Sequence, residues 1–171
     1  MEKLGHGLDK RFAVKVATRN FPGWRDPALI MISHFKEIYI DAELDLVDTA
    51  LWYPKMARRE YTVGFVPMES GVDDPDQMYY ENYVCGAARN YTGYCDAEVD
   101  KLVDRQSMEA NPEKRKDIVW QIERKLAEAA VRPALFYPVG ATCRQPWVKD
   151  LTIMTNSIYN EWRMEDVWLD R

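Results

Sequence analysis

YTVGFVPMESGVDDPDQMYYENYVCGAARNYTGYC, Tyr61–Cys95, is the stretch on which the fold turns. It opens with apolar β-formers (Val63, Phe65, Val66) and then meets Pro67, Gly71 and Pro75, residues that cannot extend a ladder. A long loop rich in Gly, Asp and aromatic residues, hung on a strand, is a common place for binding groups. The same composition also suits a plain surface connection, so the flanking chain has to decide.

Upstream, Phe12 to Ala17 alternates with the period of a half-buried strand. Asn20 to Gly23 reads as a turn, and Asp26–Pro27 as the start of a helix running to about Glu37. Tyr39 to Val47 alternates again, with Ile40, Ala42, Leu44 and Leu46 on its apolar side. Asp48 caps a second helix that Pro54 should kink or restart. Tyr61 to Val66 is then a third strand, and the order β-α-β-α-β predicts helices packed on one sheet.

Downstream, Asp96 caps a helix carrying Val99, Leu102, Val103 and Gln106 on one stripe. Asn111–Pro112 opens another, with Ile118, Val119, Ile122, Leu126 and Ala129 at helical spacing. Both stripes are core faces. Arg132 to Val139 (RPALFYPV) reads as a buried strand stopped by Pro138 and Gly140. Residues 1–11 are a loose polar lead-in. Residues 141–171 contain short strand-like pieces, Leu151 to Thr155 among them, and Trp147, Trp162 and Trp168, without a convincing helix.

The chain has 171 residues, 47% hydrophobic and 30% charged, with a net charge of −5. That balance argues against nucleic acid, because phosphate binding needs clustered surplus Lys and Arg. The basic residues at 58–59 and 114–116 are interleaved with acids, as on a solvated helix face. No apolar run reaches the length of a membrane span, and the N-terminus lacks the apolar core of a secretory signal. Six Trp and ten Tyr suit a core together with an aromatic-floored cleft.

Catalytic patterns are sparse. The two histidines, His6 and His34, have no partners at metal-ligand spacing, which leaves neither a zinc site nor a convincing serine triad. No phosphate loop or dinucleotide fingerprint is present, so no cofactor is expected. Cys143 beside Arg144 is the one candidate for an activated thiol, and no histidine is placed to work with it. Asp73, Asp74 and Asp76 form an acidic cluster without calcium-loop spacing. Asx-turns capping a short helix from Gln77 account for it better than a metal does. Cys85 and Cys95 would be free thiols in a reducing compartment; in an oxidising one they could close a short loop, the preferred reading, which implies export.

These elements together resemble the C-terminal portion of extracytoplasmic solute-binding proteins of the dipeptide/oligopeptide/nickel class (family 5), which serve ABC importers. The resemblance is carried by FAVKVATRNFPGW, HFKEIYIDAEL, REYTVGF, DDPDQ, NYTGYCDAEVDKLVD, NPEKRKDIVWQIERKLAE, RPALFYP and VKDLTI, in that order and spacing. It implies an α/β fold, a mixed sheet flanked by helices, forming lobe II of a periplasmic-binding-protein type II clamshell. Residues 12–140 would be that lobe, and 141–171 a return segment packing on a first lobe outside this chain. A bridged Cys85–Cys95 pair also follows from the resemblance, as does a periplasmic or extracytoplasmic location.

The implied function is non-enzymatic capture of a peptide, sugar, opine-like or other small solute for delivery to ABC permease subunits. Trp24 and Phe65 would supply the apolar floor, Arg19, Arg25 and Glu69 charged selection, and Ser70 and Gly71 a hydroxyl and a backbone amide. In dipeptide-type members the loop after the first strand carries an Arg and an aromatic; here the corresponding places read Pro22 and Trp24. An Asp that those members place before the Asp-Pro pair has no aligned counterpart, since the chain reads Glu69, Ser70, Gly71, Val72. The rival expectation is a stand-alone interaction domain that forms a homodimer through the exposed inter-lobe surface.

Overall fold

Alternation in the first two strands becomes a parallel ladder in the computed structural model, which describes residues 1–68, 70–154 and 163–170. Strand β1 (Phe12–Arg19) pairs with β2 (Ile40–Val47) from Phe12 opposite Ile40 to Arg19 opposite Val47. On its other side β1 pairs in parallel with β3 (Val63–Gly64). The sheet order is β2-β1-β3. Val16, Ala17 and Thr18 of β1 are buried, as expected of a central parallel strand covered on both faces. The chain divides into two compact units, Met1–Met68 and Glu69–Arg171, and this sheet belongs to the first.

Helix α1 (Pro22–Phe35) starts earlier than Asp26–Pro27 suggests, because Pro22 already occupies a first-turn position where its missing N–H costs nothing. Pro27 lies inside the helix. The core joins Ala28 and Ile32 of α1 to Val14, Val16 and Ala42, with Phe35, Leu44, Val63 and Phe65 packed around them. Asp48 caps α2 (Thr49–Ala57) by accepting from the Ala50 amide at 2.8 Å, and α2 runs through Pro54. The third strand is shorter than Tyr61 to Val66, although the Phe65 amide still donates to the Ala17 carbonyl at 2.9 Å. A Cβ at Gly64 would lie 3.0 Å from the Tyr61 ring, tighter than ordinary contact, so a side chain there would have to displace that ring. The lead-in carries a 3-10 turn at Glu2–Leu4, and the Tyr39 hydroxyl donates to Glu2 at 3.0 Å.

The second unit is built on α3 (Pro75–Asn82), α4 (Ala97–Met108) and α5 (Pro112–Glu128). Their caps are Asp74, Asp96 and Asn111, each accepting from amides of the first turn. Tyr79, Val99, Leu102, Val103, Ile118, Ile122 and Leu126 form the core. Cys85 and Cys95 are disulfide-bonded. Inside that loop buried Asn90 donates to the carbonyls of Val84 (3.1 Å) and Tyr94 (2.6 Å).

The run 132–139 does not form the expected buried strand. Its residues join no ladder, and Tyr137 and Val139 are 88% and 98% exposed. An apolar run becomes a buried strand only where a neighbour offers a ladder, and none does so among the described residues of this unit. Farther on, β4 (Val148–Lys149) and β5 (Trp168–Leu169) pair antiparallel, while residues 151–154 lie outside any strand. The Trp168 indole donates to Asp150 at 2.7 Å. Trp162 and Thr155 lie outside the described residues. Among the described residues no helix is long and apolar enough to cross a membrane.

Candidate functional site

The order β2-β1-β3 makes β1 the strand from which the chain first crosses to one side and later to the other. Loops leaving the carboxyl ends of strands diverge at such a point, and the crevice between them is the usual ligand position in open α/β sheets. In this chain β1 ends at Arg19, β2 leads into Asp48–Thr49, and β3 leads into Phe65. Two of those positions, Arg19 and Thr49, bear chemistry.

Arg19 lies over the Trp24 ring, its guanidinium carbon 4.6 Å from the ring centre. Its Nε and one terminal nitrogen each donate to the Thr49 hydroxyl at 3.3 Å. Trp24 meets Trp52 edge-to-face, with ring centres 5.7 Å apart and planes at 86°. Trp52 is fully buried, and its indole N–H has no hydrogen-bond partner among the described residues. Trp24 is half-buried above it. The arrangement is an aromatic floor with a cation laid along it and held by a hydroxyl. Among the described residues Arg19 has no carboxylate partner, so its charge is balanced by ring and hydroxyl alone.

The other candidates divide. Arg25 is turned to Asp26, 2.8 Å away, and that pair neutralises it locally. Phe65 packs against the core of the sheet, and its carbonyl accepts from the buried Thr18 hydroxyl at 3.5 Å. Core packing therefore accounts for its ring. Glu69 lies outside the described residues. Thr49 and Trp52 were not singled out from the sequence. An Asp-Thr step directly after an alternating strand, with a Trp one turn into the helix, is the pattern that marks them.

Ser70 and Gly71 belong to the second unit. Ser70 donates its hydroxyl to the Val72 carbonyl, and the Gly71 amide donates to the Gln77 side-chain oxygen at 3.2 Å. Val72, Asp74, Asp76, Gln77, Ser107, Glu109 and Arg115 line an open depression beside them. Its charge is largely committed to a clasp. Arg115 binds Asp74 through two nitrogens at 2.6 and 2.7 Å and also donates to the Gln106 oxygen. Gln106, fully buried, passes its own N–H to Asp76. The Arg115 hydrogen bonds hold the Asp74 carboxyl below its ordinary pKa, aided by the Asp76 amide and opposed by burial. Tyr79, behind the clasp, donates to Glu123 at 2.6 Å, and burial raises its phenol pKa. Asp74 and Asp76 thus cap and fasten helices. No group of three His, Cys, Asp or Glu placed to hold a metal occurs among the described residues.

No family model and no curated protein matches the sequence. Solved structures do. OppA of Burkholderia pseudomallei superposes with a TM-score of 0.63 at 18% identity, covering 76% of this chain and 25% of that one. NikA of Staphylococcus aureus, crystallised with a complex of nickel and L-histidine, gives 0.67 at 17% identity, covering 76% and 28%. DppA of Helicobacter pylori, an ABC-transporter-associated periplasmic binding protein in complex with the peptide STSA, gives 0.64 at 15%, covering 75% and 26%. The chain therefore has the fold of part of the ABC-transporter solute-binding proteins of family 5, the periplasmic-binding-protein type II architecture. It spans about a quarter of the length of the structures it matches.

Proposed function

We propose that this chain is the second lobe of an extracytoplasmic solute-binding protein, with residues 12–140 forming the lobe and 141–171 the return segment toward a first lobe. Its role is capture of a peptide-like or other small polar or amphiphilic solute and delivery to the permease of an ABC importer, without turnover. The observation that carries this reading is the Trp24–Arg19–Thr49 group at the carboxyl end of the parallel sheet, where the strand order reverses. A half-buried indole offers apolar contact, and a cation with no carboxylate partner among the described residues supplies one polar selector beside it. Two lobes rotating about a hinge would close over the ligand and exclude water. The disulfide and the shared fold support an extracytoplasmic setting.

The test is titration of the isotope-labelled chain with short peptides, observed by NMR. The expected result is dose-dependent shifts of the Trp24 indole and the Arg19 side chain. Shifts scattered over the surface, or none even at peptide concentrations far above millimolar, would rule this surface out as the capture site for peptides.

A further inference from the structure

Gln77 sits in the first turns of α3 and is bonded in two directions. Its side-chain oxygen accepts from the Gly71 amide at 3.2 Å and faces the Ser70 hydroxyl at 3.4 Å. Its side-chain nitrogen donates to Glu81, one turn further along the helix, at 2.8 Å. Glu81 is held in turn by Arg89, whose guanidinium donates to its carboxylate at 2.9 Å and whose backbone amide donates to its carbonyl at 3.2 Å. Arg89 lies within the loop closed by Cys85 and Cys95. A continuous run of hydrogen bonds therefore leads from the disulfide loop along one face of α3 to residues 70–72. Among the described residues that segment has little else to hold it: its contacts are short-range ones between Ser70 and Val72 and the bonds to Gln77.

We propose that Gln77 is the positioning residue of the 70–72 loop, and that it transmits to this loop the order imposed by the Cys85–Cys95 bridge through Glu81 and Arg89. The bridge fixes Arg89, Arg89 fixes the Glu81 rotamer, and Glu81 orients the Gln77 amide so that its oxygen faces Gly71. An amide suits the position because it donates to a carboxylate on one side and accepts from a backbone N–H on the other; leucine does neither and glutamate only the second. The importance of the loop to capture rests on the function proposed above, whereas its positioning by Gln77 does not.

The experiment is residue-resolved hydrogen exchange on the oxidised 171-residue chain, read at the Gly71 amide, with no ligand present. Gln77→Leu should accelerate Gly71 exchange about five- to tenfold, the size expected for one lost hydrogen bond. Gln77→Glu, which retains the acceptor, should restore part of the protection. Arg89→Ala, and reduction of the bridge by dithiothreitol (two electrons and two protons passing to the cysteines while the reagent closes its own disulfide), should each accelerate Gly71 exchange in the wild type. Neither should add to it in Gln77→Leu. Gly71 exchange unchanged in Gln77→Leu overturns the positioning role, and an Arg89→Ala effect that persists undiminished in Gln77→Leu overturns the coupling. If Gly71 responds as expected while peptide-induced shifts are the same in Gln77→Leu and wild type, the positioning stands and the loop's part in capture falls.

Discussion

Asp74 caps α3 with one oxygen, and through the Arg115 guanidinium it also ties that helix start to α5. Those bonds depress its pKa. A carboxylate with a lower pKa folded than unfolded stabilises at pH above the unfolded value, and its contribution fades as pH falls through the folded value. The window therefore opens near pH 4 and extends downward. Asp74→Asn retains a capping oxygen but loses the charge. With the two side chains 37% and 28% exposed, solvent screening keeps the loss near neutral pH to about 1 kcal/mol. In thermal unfolding at stepped pH, the stability of the Asp74→Asn variant should fall less steeply than that of wild type below about pH 4. Parallel curves would mean that Arg115 adds nothing in solution. A capping Asp was legible from the Asp-Pro pair, although the helix begins at Pro75 and not at Gln77, because proline fits the first turn. The Arg115 partner was not, because the pairing spans 41 positions and no local spacing encodes it.

At the level of elements, α4 and α5 were legible because three local signals agree: a capping residue, a period of 3.6, and length. On α5, Ile118, Ile122 and Leu126 are buried as spaced, while Trp120 lies half-exposed beneath Lys116. The contrast gives a prediction: Ile122→Ala should cost about 2–4 kcal/mol in denaturant unfolding, as for a buried aliphatic deletion, and Trp120→Ala no more than about 0.5. Equal costs would place the core on the wrong face. The disulfide acts on a different state: opening Cys85–Cys95 should cost about 2–3 kcal/mol by chain entropy alone. Strands were less legible. The run 132–139 has a strand's composition, but a strand exists only with a neighbour, and sequence does not report who that neighbour is. At the functional site the aromatic and the arginine were readable as residue types. The Trp24–Trp52 contact and the Thr49 hydroxyl were not, because they join the first turn of α1 and the end of β1 to the start of α2.

For the molecule as a whole, the decisive quantity is how much of a ligand this chain can surround. The solved structures that share its fold are about four times the length it spans, and two of those described hold a bound ligand. Small-molecule sites bury most of a ligand's surface, and affinity follows from that enclosure together with a few polar selectors. On the lobe reading proposed above, a surface presenting Trp24, Arg19 and Thr49 would contact a ligand on one side only and leave its opposite side in water. Each face contributes apolar burial, yet the cost of fixing the ligand is incurred once, so removing one face forfeits more than half of the net binding energy. The chain alone should therefore bind peptides with dissociation constants of about 1 mM or weaker. Calorimetry would show shallow, unsaturated heats, and Trp24→Ala should abolish even those. A tight single-site isotherm from the chain alone would refute the division into lobes and require a complete site within these residues. Saturable weak binding that Trp24→Ala leaves unchanged would keep the fold but move the contact surface away from the end of β1.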